Sequence, residues 1–256
     1  MRFIFYSAFL ALFNILIASG ISAVVFALAL LIPEMHWAFA LIIGLLAGVG
    51  AMILLTRRLM KKLEPLFTQA QKQAQARQFK LAIQTLQSIL PLGKWQVMLT
   101  AQIQSQMGVF YYADKNEALA LEFLGKGSVR SPDAQMILAS ILFRKGEMDK
   151  MMEVMDMTIR FNKKQVLVYN AYAFMLQIKE MNDKAVEILQ KCLKVNVQHE
   201  ATQDNLTRLQ NNKKMNMKPF GLNWYSLQLE KPPLSMMQDQ FSGRAGFRQA
   251  PKRKKG

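Results

Sequence analysis

Hydrophobic and polar positions follow two different patterns along the chain. From Phe3 to Ile32 runs a 30-residue stretch without a charge, and from Trp37 to Leu55 a second of 19; about 20 apolar residues suffice to cross a bilayer core. Beyond Thr56 the apolar residues recur three and four apart, the period of amphipathic helices, until about residue 212. The first pattern predicts two membrane spans, about 3–32 and 37–55, and the second a series of short soluble helices. Pro33, Glu34, Met35 and His36 leave room only for a tight turn, so the spans must form an antiparallel hairpin.

The flanks of the spans orient that hairpin. Arg57, Arg58, Lys61 and Lys62 follow the second span and the turn holds no Lys or Arg, so the positive-inside rule predicts cytoplasmic termini and an external turn. A cleaved signal peptide is the rival reading of the first span, since Ala27-Leu28-Ala29 mimics a cleavage site. Its apolar run is much longer than the usual 7–15 residues, about twice the upper figure. Ser19, Ala23 and Ala27 on the first span, and Gly44 and Gly48 on the second, offer close helix packing, within the hairpin or between two copies. Asn14 is available to hydrogen-bond across helices, and no intramembrane acid or base accompanies it.

The soluble helices repeat. LASILFRKGEMDKMMEVMDMTIRFN, from Leu138, recurs 34 positions later as YAFMLQIKEMNDKAVEILQKCLKVN. The alignment pairs Ala139 with Ala173, Leu142 with Leu176, Met155 with Leu189, Thr158 with Cys192 and Asn162 with Asn196. Each copy reads as helix, turn, helix, with turns GEMDK and EMNDK. ARQFKLAIQTLQSIL (76–90), stopped by Pro91, supplies half of an earlier unit, and MGVFYYADKNEALALEFLGKG (107–127) a degenerate one at irregular spacing. Repeats thus cover roughly residues 63–198. HEATQDNLTRLQNN (199–212) reads as a polar terminal helix that caps them.

This unit resembles the tetratricopeptide repeat (TPR) family, a 34-residue helical hairpin with small residues near its eighth and twentieth positions. Ala139 and Ala173 match the first of these and Ala185 the second; Met151 departs from it. With the apolar runs and the Pro-containing basic tail, the resemblance gives an all-α expectation: a two-span transmembrane hairpin (1–56), a TPR-like α-solenoid of about four helical hairpins with its cap (57–212), and a largely irregular basic tail (213–256). It also implies a partner-binding groove on the first helix of each unit. Carried over, that groove presents Met107 and Phe110, then Met136, Ser140, Phe143 and Arg144, then Asn170, Phe174 and Gln177. Of the cationic and amide set with which chaperone-binding members hold a C-terminal carboxylate, only Arg144 and Asn170 remain. Two-span proteins of bacterial haem operons have a similar plan, as an analogy of architecture.

Composition narrows the chemistry. The formal charge of +16 lies entirely beyond residue 56, which makes anionic partners plausible for the soluble part. Cys192 is the only cysteine, so no intramolecular disulfide or cysteine-rich metal site forms, and it reads as a small packing residue. The 18 methionines fit a core or an adaptable groove; the helical spacing of Met148, Met151, Met152 and Met155 favours core. His36 and His199 fall in different compartments under the predicted topology. Nothing pairs a nucleophile with a base, so neither an enzyme nor a cofactor is expected. The tail ends in a cluster, Lys252, Arg253, Lys254 and Lys255, and carries Phe220, Leu222, Trp224, Tyr225 and Leu227 in a stretch apolar enough to dock back on the repeats. The expectation is a scaffold for protein partners at the membrane, with anionic lipid contact available. The alternative is a nucleic-acid- or ribosome-associated membrane protein, for which the basic tail is the only support.

Overall fold

Reversing the chain between two packed helices takes one residue in the left-handed backbone region, followed by an N–H that bonds back over the end of the first helix. Arg77, Lys115, Gly146 and Glu180 all have that conformation, with φ of 61°, 63°, 79° and 60°. After each, the next N–H donates to the carbonyl five residues back: Gln78 to Gln73, Asn116 to Tyr111, Glu147 to Leu142 and Met181 to Leu176, at 2.9–3.0 Å. The same backbone turn therefore closes four helical hairpins, although only one of them carries glycine.

A computed structural model describes residues 13–33, 36–95 and 98–233. Among these the chain is all-helical: α1 (Phe13–Leu30), α2 (Trp37–Gln75), α3 (Phe79–Ile89), α4 (Leu99–Ala113), α5 (Glu117–Gly125), α6 (Pro132–Arg144), α7 (Met148–Phe161), α8 (Val166–Ile178), α9 (Asn182–Val195), α10 (Glu200–Gln210) and the short α11 (Gly221–Tyr225). A 3-10 turn, Leu90–Trp95, follows α3 at Pro91. The helices divide into two compact units, residues 1–162 and 163–256.

In the first unit α1 packs against α2. Both are long and apolar enough to cross a membrane, and only 17% of each apolar window is buried. Leu16, Val24, Leu28, Leu45, Leu46, Val49 and Leu54 stand exposed around them, unlike the core helix of a soluble protein. The seam between them is lined on α1 by Asn14, Ala18 and Ala29, with Ser22 against Gly44 and Gly48. Ser19, Ala23 and Ala27 are exposed, because they lie one residue, about 100°, around the helix from the packed face. At Gly44 an added Cβ would stand 2.9 Å from the Ser22 carbonyl oxygen, so the backbones approach too closely for any larger residue.

Helix α2 does not stop where the apolar run stops. It continues unbroken across residues 56 and 57 for 39 residues, about 58 Å at 1.5 Å per residue. Its later turns bury Leu59, Leu63 and Ala70 in one core with Ala82, Ile83, Leu86 and Ile89 of α3 and Leu99, Ile103, Met107 and Phe110 of α4. The hairpins α4–α5 and α6–α7 follow. Gly108 sits where α4 crosses α5, since a Cβ there would meet Leu124 Cγ at 2.6 Å. On α7, Met151 and Met155 are fully buried, so the methionine stripe serves as core.

The second unit pairs α8 with α9 and adds α10. Ala173 and Ala185 are fully buried in it, as a close crossing needs. Helix α10 contributes Thr202, Asn205 and Leu209 to the interior, so its buried face is largely polar.

Gly44→Val should destabilise the α1–α2 hairpin by about 2 kcal/mol through overpacking, whereas Gly50→Val, with nothing within 4 Å of its Cβ, should be neutral. Thermal melting of the detergent-solubilised protein compares the two; equal melting temperatures would contradict the seam.

Candidate functional site

Helix α8 carries three of the residues expected to face a partner, and all three are engaged within the second unit. Asn170 is fully buried. Its amide donates to Thr202 Oγ1 at 2.8 Å and to the Val166 carbonyl at 3.1 Å, and its oxygen accepts from Asn205 Nδ2 at 3.0 Å. Asn205 Oδ1 in turn accepts the backbone N–H of Asn216 at 2.7 Å. Two buried amides are thereby satisfied, as low-dielectric surroundings demand, and the second of them holds a piece of backbone from the tail.

Two turns further along α8, Gln177 does the same with both ends of its amide. Nε2 donates to the Lys213 carbonyl at 2.9 Å, and Oε1 accepts the Met215 N–H at 3.0 Å. Between these two contacts the Lys214 ammonium lies 5.6 Å from the Phe174 ring centroid and pairs with Glu230 at 2.6 Å. Phe174 is 1% exposed, and Trp224 meets it edge-on at 4.7 Å. The Trp224 indole N–H donates to Glu230 at 3.0 Å. Met215, Met217, Trp224 and Leu227 are all buried, and Phe220 stacks on His199 at 6.0 Å. The expected surface of α8 is therefore occupied by the chain's own segment 213–230. Docking of this segment onto the repeats was legible from its apolar cluster; Gln177, Asn205 and Glu230 as its holders were not, because single amides and a lone carboxylate leave no periodic mark.

In the first unit the expected groove residues take other positions, which corrects the carried-over surface. Met107, Phe110, Met136 and Ser140 are buried core side chains, and Phe143 is half-buried. On α4 the packed face runs through Ile103, Met107 and Phe110. An open groove is lined instead by Gln102, Gln106 and Val109, one residue around the helix. Arg144 is not poised for a ligand carboxylate, since it pairs with Glu117 at 2.6 Å and donates to Tyr112 Oη at 3.3 Å. Arg57, Arg58, Lys61 and Lys62 are exposed on α2, and among the described residues none forms an ion pair. Lys252, Arg253, Lys254 and Lys255 lie outside the described residues.

Both histidines serve as helix caps. His36 Nδ1 accepts from Ala38 N at 3.4 Å at the start of α2, and His199 Nδ1 from Thr202 N at 3.3 Å at the start of α10. Among the described residues no three His, Cys, Asp or Glu side chains come together to hold a metal. Cys192 is fully buried; burial pushes its thiol above the ordinary range, outweighing the hydrogen bonds to Thr202 and Asn196. Burial raises Tyr169 as well, with the neighbouring Cys192 adding to it. Both shifts favour the protonated side chain, so neither Cys192 nor Tyr169 is activated as a nucleophile. No known family model matches the chain, and no curated protein matches it.

Trp224→Ala should cost the second unit about 3–5 kcal/mol, the usual loss for a buried aromatic, and should open segment 213–230 to protease. Melting curves and limited proteolysis read both. Cys192, protonated when folded, adds stability below the ordinary thiol range that is lost as pH rises through and beyond it. Its reaction with a thiol reagent at alkaline pH should therefore follow unfolding; full labelling of the native protein would contradict its burial.

Proposed function

We propose that the chain is a membrane-tethered TPR-like scaffold: two spans hold an α-solenoid of helical hairpins at the cytoplasmic face of a bacterial inner membrane, where it binds protein partners and catalyses nothing. The observation that supports this reading is the seating of residues 213–217 on α8 and α10. Gln177 brackets a non-helical backbone through both of its amide atoms, and Phe174 takes an aromatic side chain edge-on. That is how a helical-repeat face holds a peptide, by backbone amides for affinity and a ring pocket for choice. The chain thus carries, within itself, one example of the recognition the scaffold would perform.

Membrane placement is supported by the two exposed apolar helices and by the four cations that follow the second apolar run, which favour a cytoplasmic repeat domain.

Crosslinking in intact membranes, followed by mass spectrometry with and without nuclease, tests the adaptor reading. Protein adducts that survive nuclease are expected; loss of all of them would favour a nucleic-acid-associated protein. For topology, a cysteine replacing Met35 in a Cys192→Ser background should react with an impermeant thiol reagent in intact cells, while Ser242→Cys should not. Labelling of Ser242→Cys alone would invert the orientation.

A further inference from the structure

The continuity of α2 carries four cations out of the apolar stretch at defined heights. If Trp37–Leu55 spans the hydrocarbon, its 19 residues cover about 28 Å, close to the roughly 30 Å of the core. On that placement Arg57 and Arg58, on the same helix, stand about 3 and about 4.5 Å beyond Leu55, inside a headgroup layer roughly 5–8 Å deep on each side. The α-carbons of Lys61 and Lys62 stand about 9 and about 10.5 Å beyond it, just above that layer. Their side chains lean back into it, because every Cα–Cβ bond of a helix tilts toward the N-terminus, here the end in the bilayer. Flexible four-carbon stems let both ammonium groups reach down.

The four cations share one face. Arg57 with Lys61, and Arg58 with Lys62, are four residues apart, so each pair sits on adjacent turns, centred about 150° around the helix from Leu59 and Leu63. Those two leucines are buried and the four cations exposed, so the core takes one side of α2 and leaves the charged side free. Among the described residues none of the four is in an ion pair. Like charges at this spacing repel, and the helix itself offers little relief. Its one acid, Glu64, is exposed, makes no ion pair among the described residues and stands about 14 Å beyond Leu55, above the headgroups. Leu54, 61% exposed, lies one turn below the same face.

We propose that this face of α2 binds the headgroups of anionic phospholipids in the leaflet from which the helix emerges. Their phosphates meet Arg57 and Arg58 at the edge of the hydrocarbon and Lys61 and Lys62 from above, while the acyl chains stay in the bilayer beside Leu54. The fork of a guanidinium matches phosphate oxygens, and clustered basic residues next to a span draw anionic lipid. A zwitterionic headgroup brings its own cation to the site and gains less. Lipid is favoured over nucleic acid because the cations stand at headgroup height, where the bilayer already holds the phosphate esters in place. The inference rests on the membrane placement proposed above and is independent of the protein-partner reading.

The test uses the full-length protein in nanodiscs of phosphatidylcholine and phosphatidylglycerol in equal parts, so that the hairpin meets both lipids whichever way it inserts. A photo-crosslinker enters as Leu54→benzoylphenylalanine, below the cationic face, or as Phe39→benzoylphenylalanine, exposed at the far end of the same span. Mass spectrometry of the adducts should find phosphatidylglycerol preferred from Leu54→benzoylphenylalanine and no preference from Phe39→benzoylphenylalanine. Arg57→Gln with Arg58→Gln should lower the preference by about fivefold or more, one basic residue at such a surface being worth about that factor. Arg57→Lys with Arg58→Lys should keep most of it, and added salt should weaken it. Lys72→Gln, about 26 Å beyond Leu55, should change nothing. Equal preference at both ends of the span, or indifference to the Gln pair, would overturn the lipid site. A single-stranded oligonucleotide retained by the discs and released by the Gln pair, beside adducts without headgroup preference, would give the face to nucleic acid instead. A chain that stays in the nanodisc with no preference overturns this proposal only; a chain that does not insert overturns the membrane placement as well.

Discussion

The burial of Leu59, Leu63 and Ala70 in the core shared with α3 and α4 is the contact on which the rest of the first unit depends. These positions lie four and seven residues apart on one helix, so they form a single stripe that the neighbouring helices cover. Because α2 is already helical through its apolar half, the stripe needs no separate nucleation. Pro65 withholds an N–H from this helix, a loss that ordinarily bends or ends one. Here both sides of the proline are held by packing, with Leu66 and Phe67 partly buried beside it. A single rod thereby joins the apolar stretch of α2 to the core that it shares with α3 and α4.

The hairpins beyond that rod owe their regularity to the backbone more than to side chains. Arg77, Lys115 and Glu180 occupy a conformation that glycine adopts freely and that costs other residues about 1–2 kcal/mol. In each case the helices on either side bury enough surface to outweigh it. Asn162 and Asn196 show the same economy at the far ends of α7 and α9, where each donates its side-chain amide back to the carbonyl four residues earlier, Thr158 or Cys192. The turn and the cap recur even where the surrounding residues diverge.

Polar burial gives the second unit its specificity. Thr202, Asn170, Asn205 and the Asn216 backbone form one connected set of hydrogen bonds, and removing any member strands another in a low-dielectric interior. Segment 213–230 is therefore held in one register, by amides at one end and Trp224 at the other. The surface that a partner would be expected to meet is engaged by the chain itself, while in the first unit the open surface lies on Gln102, Gln106 and Val109 of α4.

Residue type and spacing determined the helical class, the two apolar helices, the stop at Pro91, the burial of the methionine stripe and the packing role of Cys192, because each depends on what lies within one element. Tertiary structure decided what lies between elements. Whether Met107 or Gln106 faces outward turns on a rotation of about 100°, and apolar residues on both sides of α4 leave that choice to its neighbours. Ser22, and not Ser19, meets Gly44 for the same reason. The unbroken passage from apolar helix to folded unit was hidden by the change from uniform to periodic hydrophobicity at residue 56. A helix that runs from an exposed apolar stretch into a protein core changes its pattern without changing its backbone, and only the contacts of Leu59 and Leu63 reveal that it continues.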